Sequence, residues 1–133
     1  MKKLFLLIAV AFTITACQES LEDQCVREAK EYTQRCCPTP VINNTRTDSV
    51  TFDKDSHTYQ YFCTFIGALD NEQAINQHKQ ILRKFLIKEI KNNTSINKLK
   101  EAQFNFRYII HSARNPQKVL YEQVIQNKEY QGV

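Results

Sequence analysis

Apolar residues along this chain fall into runs of different period, and the period of each run predicts an element. Residues 4–13 are almost wholly apolar but end at Thr13 and Thr15. That is about half the ~20 residues needed to cross a bilayer as a helix. Over residues 20–35 the period becomes helical: Leu21, Cys25, Ala29, Tyr32 and Cys36 recur at steps of three and four, with Glu22, Asp23, Glu28, Glu31 and Arg35 on the opposite side. Ser20 is placed to cap this helix, the first-turn acids suit the positive end of its dipole, and Pro38 and Pro40 stop it. Residues 41–46 read as a connecting loop.

From 47 to 52 and from 58 to 66 the chain turns β-branched and aromatic, interrupted by Asp53-Lys54-Asp55-Ser56, which predicts a hairpin. Residues 71–91 predict one long helix with the apolar stripe Ile75, His78, Ile81, Leu82, Phe85, Leu86 and Ile90. Leu82, Phe85 and Leu86 are expected between that helix and a sheet, and His78 is expected in the core. Ile96 to Ala102 predicts one further helical turn. Phe104 to Ile110 alternates again, Asn115-Pro116 turns the chain, and Val119 to Gln126 closes a second hairpin. The order helix-hairpin-helix-hairpin (αββαββ) is an α+β fold, most economically a four-stranded antiparallel sheet with two helices on one face. If Tyr59, Tyr61, Phe65, Phe104, Phe106 and Tyr108 point at the helices, the bare face carries Gln60, Phe62, Thr64, Arg107, Ile109 and His111.

The first apolar run gains meaning from its flanks. Met1-Lys2-Lys3 is basic, and Ile14-Thr15-Ala16-Cys17 closes the run with small residues before a cysteine, the pattern of an export signal. Ile14-Thr15-Ala16-Cys17 resembles the lipobox of bacterial lipoproteins. The resemblance implies cleavage before Cys17, acylation of its thiol, and, with Gln18 instead of aspartate next, sorting to the outer membrane. The expected layout is a removed signal peptide over 1–16, a lipid-anchored N-terminus over 17–19 and a single domain over 20–133. Several acyl chains at ~0.8 kcal/mol per buried CH₂ make a stable anchor.

Charge adds little about partners. Loss of Lys2 and Lys3 with the signal lowers the formal net charge of +4 by two. The distribution is uneven: residues 17–34 are acidic and residues 79–118 basic, so one helix can lie near the other or a basic face can meet an anionic partner. The basic helix face lacks interleaved aromatics and the chain is exported, which argues against nucleic acid as a partner.

Beyond Cys17 there are Cys25, Cys36, Cys37 and Cys63, in a chain bound for an oxidising compartment. A continuous first helix holds Cys25 and Cys36 about 16 Å apart, whereas a disulfide needs Cα atoms within about 7 Å. An easy bridge therefore uses Cys63: Cys37–Cys63 is favoured, with Cys25–Cys63 close behind, and either would stabilise by about 3 kcal/mol. There is no Cys-x-x-Cys, and His57, His78 and His111 have no zinc-site spacing, so no catalytic residue, metal ligand or cofactor is assigned.

Asp48-Ser49-Val50 resembles the acceptor motif of a general bacterial O-glycosylation system, which implies Ser49 as a modification site. Cys37-Pro38 with Thr45-Arg46-Thr47-Asp48-Ser49-Val50 resembles a run in small uncharacterised envelope lipoproteins. That resemblance implies a similar α+β fold and no known activity. In those proteins a second cysteine follows the central helix, where this chain has Asn92-Asn93-Thr94, so their pairing is not carried over and Cys63 is the substitute.

The expected function is a non-enzymatic binding or assembly module of the cell envelope. It would be held at the membrane by N-terminal acyl chains, with an envelope protein or glycan as partner. The rival is a small periplasmic enzyme or enzyme inhibitor. Phe62, Arg107, Ile109 and His111 on the bare sheet face are the expected partner site, because apolar anchors ringed by a cation are the usual composition of a hot spot.

Overall fold

In the computed structural model, which describes residues 19–131, the first helix begins where its cap predicts: the Asp23 amide donates to Ser20 Oγ (3.1 Å) ahead of α1 (Leu21–Cys36). The expected signal peptide over residues 1–16 and the lipidation site Cys17 lie outside the described residues. After α1 the chain reverses at Asn43 and Asn44. Both have positive φ (52° and 58°), a conformation that asparagine tolerates well. Ile42 and Thr45 pair across this turn, which opens β1 (Thr45–Asp53). The expected hairpin is completed by β2 (Thr58–Phe65) in antiparallel register, Phe52 opposite Tyr59 and Val50 opposite Tyr61.

Gly67 has φ 63° in a 3₁₀ turn (Gly67–Leu69) that carries the chain away from the sheet, and such a backbone is cheap only without a Cβ. The predicted long helix is two helices, α2 (Glu72–Gln77) and α3 (Lys79–Asn92), broken at His78, whose amide donates to the carbonyls of Ala74 and Ile75. A 3₁₀ turn (Thr94–Ile96) and α4 (Asn97–Glu101) lead into β3 (Asn105–Ser112), then β4 (Val119–Ile125) and a final turn of helix α5 (Asn127–Tyr130).

The fold is α+β with strand order β1-β2-β3-β4, but the sheet is mixed, not antiparallel throughout. β2 and β3 are parallel, with Tyr61 beside Tyr108 and Phe62 beside Ile109, while the two hairpins are antiparallel. The reason is the connection: α2, α3 and α4 cross one face and return the chain to the starting end of β2, so β3 enters in the same direction. The described helices all pack on that face. α1 brings Cys25 onto Phe52 and Phe104; α2 and α3 bring Ile75 and Leu86 onto Cys63, Phe65 and Ile110; Ile90 and α5's Tyr130 close over Phe106 and Ile125. Tyr61 and Tyr108 stack between these clusters at 5.1 Å.

The outer edge of β1 is occupied by side chains and loop at three positions, Thr45, Thr47 and Val50. The Val50 amide donates to Thr33 Oγ1, which donates on to the Val50 carbonyl (2.9 Å each). The Thr47 amide donates to Thr39 Oγ1 (2.9 Å), and the Thr39 amide donates to the Thr47 carbonyl (2.9 Å). Thr45 exchanges both of its backbone bonds with Ile42.

Candidate partner-binding groove

The apolar stripe of the second helical region does two jobs. Leu86 (7 % exposed) and Ile90 are buried, with Leu82 packed beside them. Ile81 and Phe85, one helical turn apart, are 66 % and 55 % exposed. The expectation that Phe85 packs between helix and sheet is thus corrected. The sheet-facing line is Leu82, Leu86 and Ile90, and positions 81 and 85 sit roughly 60 to 100° around the helix from it. His78, expected in the core, is exposed at the α2–α3 break.

Ile81 and Phe85 form one wall of a groove of about 450 Å³ whose other walls are Phe65, Leu69 and Ile75, with Asn43 and Thr45 at the rim. The sequence held a signal for it, since the stripe is wider than one sheet-facing line requires. Lys84 and Lys88 follow Ile81 and Phe85 by three residues and are their neighbours on the helix surface, outside the groove lining itself. Both are exposed, and among the described residues neither forms an ion pair. The groove wall at Leu69 is pinned by buried Asp70, whose carboxylate accepts from the Arg114 amide (2.9 Å) and Nε (3.3 Å). Hydrogen bonds from Ser112 and Arg114 hold the Asp70 carboxyl below its ordinary pKa.

The four residues expected on the bare sheet face do share it. Ile109 lies between Phe62 on β2 and Glu122 on β4, with Arg107 and His111 two residues to either side. Ile109 is only 5 % exposed, beside an Arg107–Glu122 ion pair, which leaves Phe62 as the more accessible apolar residue. His111 Nδ1 is buried without a hydrogen-bond partner in the structure. At that end Thr64 donates to Asp48, which also pairs with Arg46. Ser49 is half-buried opposite Phe62, next to a bulge in β1.

Cys25, Cys36, Cys37 and Cys63 are unbridged in this structure, Cys25 and Cys63 buried and Cys36 exposed. Cys63 Sγ lies 3.9 Å from Thr47 Oγ1, and Cys37, the C-cap of α1, is two residues before Thr39, which holds Thr47. Burial pushes the Cys63 thiol up to about 11 and raises Cys37 as well. Among the described residues, no group of three or more His, Cys, Asp or Glu could hold a metal ion, and no helix is long and apolar enough to cross a membrane.

The model of a domain of unknown function, DUF8479, matches residues 20–121, from the α1 cap into β4. The chain belongs to this family. No curated protein matches it in sequence. The DUF8479 fold is shared with solved structures. One is a protein from Pseudomonas aeruginosa assigned as secreted (TM-score 0.64, 10 % identity, covering 85 % of this chain and 99 % of that one). Another is the pilotin EpsS of the Vibrio vulnificus type 2 secretion system (0.62, 11 %, 84 % and 93 %). A third is the type II secretion system pilotin AspS of Vibrio cholerae (0.56, 14 %, 81 % and 90 %). At these identities the likeness is one of fold.

Proposed function

We propose that this domain is a docking module of the cell envelope, not an enzyme, and that its groove takes a short apolar segment of a protein partner bordered by carboxylates. The observation that carries the reading is the exposure of Ile81 and Phe85 on a helix whose other apolar line is already buried. Apolar anchors beside a pocket are what a binding hot spot needs. Lys84 and Lys88 choose the sign of the border, since an acidic flank would meet them at the rim. The fold shared with two pilotins of type 2 secretion systems supports a partner that is itself part of an envelope assembly.

In this reading residues 1–16 are removed, Cys17 is acylated and the domain is held at the outer membrane. We also propose that Cys37 and Cys63 are bridged when the chain folds in an oxidising compartment. The two thiols give up two protons and two electrons to a disulfide-bearing thiol oxidant. Cys63 is buried in the folded chain, so the bridge belongs to folding and not to a later switch. Non-reducing peptide mapping should recover Cys37 joined to Cys63; a free Cys63 in exported protein would remove the bridge. Ser49 remains the proposed O-glycosylation site.

The test is a photo-crosslinking residue placed at position 85 in intact cells. The expected result is one protein adduct, mapped to an apolar segment with flanking Asp or Glu, and lost in the Lys84→Glu/Lys88→Glu variant. No adduct at position 85, or an adduct indifferent to the lysines, would overturn the groove reading. The bare sheet face is the second site, favoured by the accessible Phe62 and the unpartnered His111 Nδ1. An adduct from position 62 but not from 85 would transfer the function there.

A further inference from the structure

We infer that the domain stands on the bilayer on one particular end: the N-terminus of α1 and the β1–β2 turn face the lipid headgroups, and the groove opens at the far end into the aqueous compartment. This rests on the proposed acylation of Cys17. Three residue steps separate Cys17 from the cap Ser20, which even fully extended reach about 11 Å. Glu19 is itself held to the helix, its carboxylate accepting from Arg27 (3.0 Å). The free tether is therefore little more than Gln18, and the first turn of α1 cannot stand far from its anchor.

That turn is fastened to the β1–β2 turn by the Lys54–Asp23 pair and by the approach of His57 Nε2 to Glu22 (3.9 Å). The start of β3 joins the same end, where the Asn105 amide donates to the His57 carbonyl (2.9 Å) and the His57 ring stacks on Phe104 (5.6 Å). Lys54, Asp55, Ser56 and His57 are all exposed, and no large exposed apolar side chain lies among them. Such a surface rests among headgroups and does not insert into the hydrocarbon.

The groove is at the opposite end of β2. Its wall residue Phe65 is seven residue steps along the strand from Thr58, about 23 Å at ~3.3 Å per residue. α1 runs the same way: its first turn meets the β1–β2 turn, whereas Thr33 and Thr39 meet Val50 and Thr47 nearer the groove. A short tether at one end thus presents the groove to a partner arriving from the aqueous side.

The chain has no tryptophan, so a single one reports its own position. His57→Trp and Leu69→Trp proteins are purified from membranes, the acyl mass on Cys17 is measured, and each is placed in phosphatidylcholine vesicles carrying nitroxide on a fraction of the headgroups. Quenching of the probe at 57 should be several-fold stronger than at 69. Equal quenching, or stronger quenching at 69, with the acyl mass present overturns the orientation and leaves the anchor standing. Absence of the acyl mass overturns both. Asp55→Trp serves as the near-end probe if His57→Trp does not fold.

Discussion

Two apolar lines run along α3, and they differ in what lies opposite them. Leu82, Leu86 and Ile90 meet the aromatic floor of the sheet, where Phe106, Tyr108 and Ile110 supply dense contacts. Ile81 and Phe85, on the same helix and equally apolar, line one wall of a groove and stay largely exposed. Hydrophobicity alone does not separate the two lines. The rotation of the helix does, and the sheet fixes that rotation. A residue's contribution to stability and its availability to a partner are therefore divided here along a single helix.

Leu86→Ala should break the buried line, lowering the unfolding free energy by about 2–5 kcal/mol through lost burial and a residual cavity. Phe85→Ala, measured in the same denaturant titration, should change it by less than about 1 kcal/mol; equal losses would merge the two lines into one core. Binding should reverse the ranking. Phe85→Asp is expected to weaken a partner by at least about 2 kcal/mol, near thirtyfold in affinity, while leaving the far-ultraviolet spectrum unchanged. Leu86→Ala should affect affinity only as far as it unfolds the domain.

Thr33→Val sharpens the contrast from outside the groove. It removes both bonds to the Val50 backbone and should cost about 1–2 kcal/mol by thermal denaturation, with partner affinity intact. The smallest effect concerns acid. The folded-state pKa of Asp70 is depressed, so its stabilisation is fully present above the unfolded value of about 3.8 and is lost as pH falls through the folded value. Asp70→Asn should flatten that acid loss in a pH series of melting curves. Because Asp70 pins the wall at Leu69, low pH should loosen the groove before the buried line.

Much of the fold could be read from local chemistry. Ser20 with the acids behind it started α1, Pro38 and Pro40 ended it, and the alternation around Tyr59 and Tyr61 assigned the helix-facing side of β2. What escaped was settled by contacts distant in sequence. Neither glycine nor proline marks the break at His78, so periodicity joined α2 to α3. The direction of β3 depends on where a crossover of nearly forty residues returns, which no local pattern encodes. Asn43-Asn44 is a turn signal inside a stretch that otherwise reads as plain loop. Phe85 was misplaced because the period of a stripe shows which residues share a helix side, while its centre is set by the partner surface. For the sheet face, alternation grouped Phe62, Arg107, Ile109 and His111 correctly. It could not show that Ile109 is buried beside the Arg107–Glu122 pair.

The threonines along α1 and the loop after it have a consequence for self-association. A sheet recruits strands from other copies wherever an edge leaves amides and carbonyls unpaired. At Thr45, Thr47 and Val50 the outward groups of β1 are already occupied by Ile42, Thr39 and Thr33. A foreign strand finds no free backbone group at these three positions, so pairing along β1 is interrupted there. Copies of the domain packed side by side are thereby denied a continuous β1 edge along which strands could be added into a fibre.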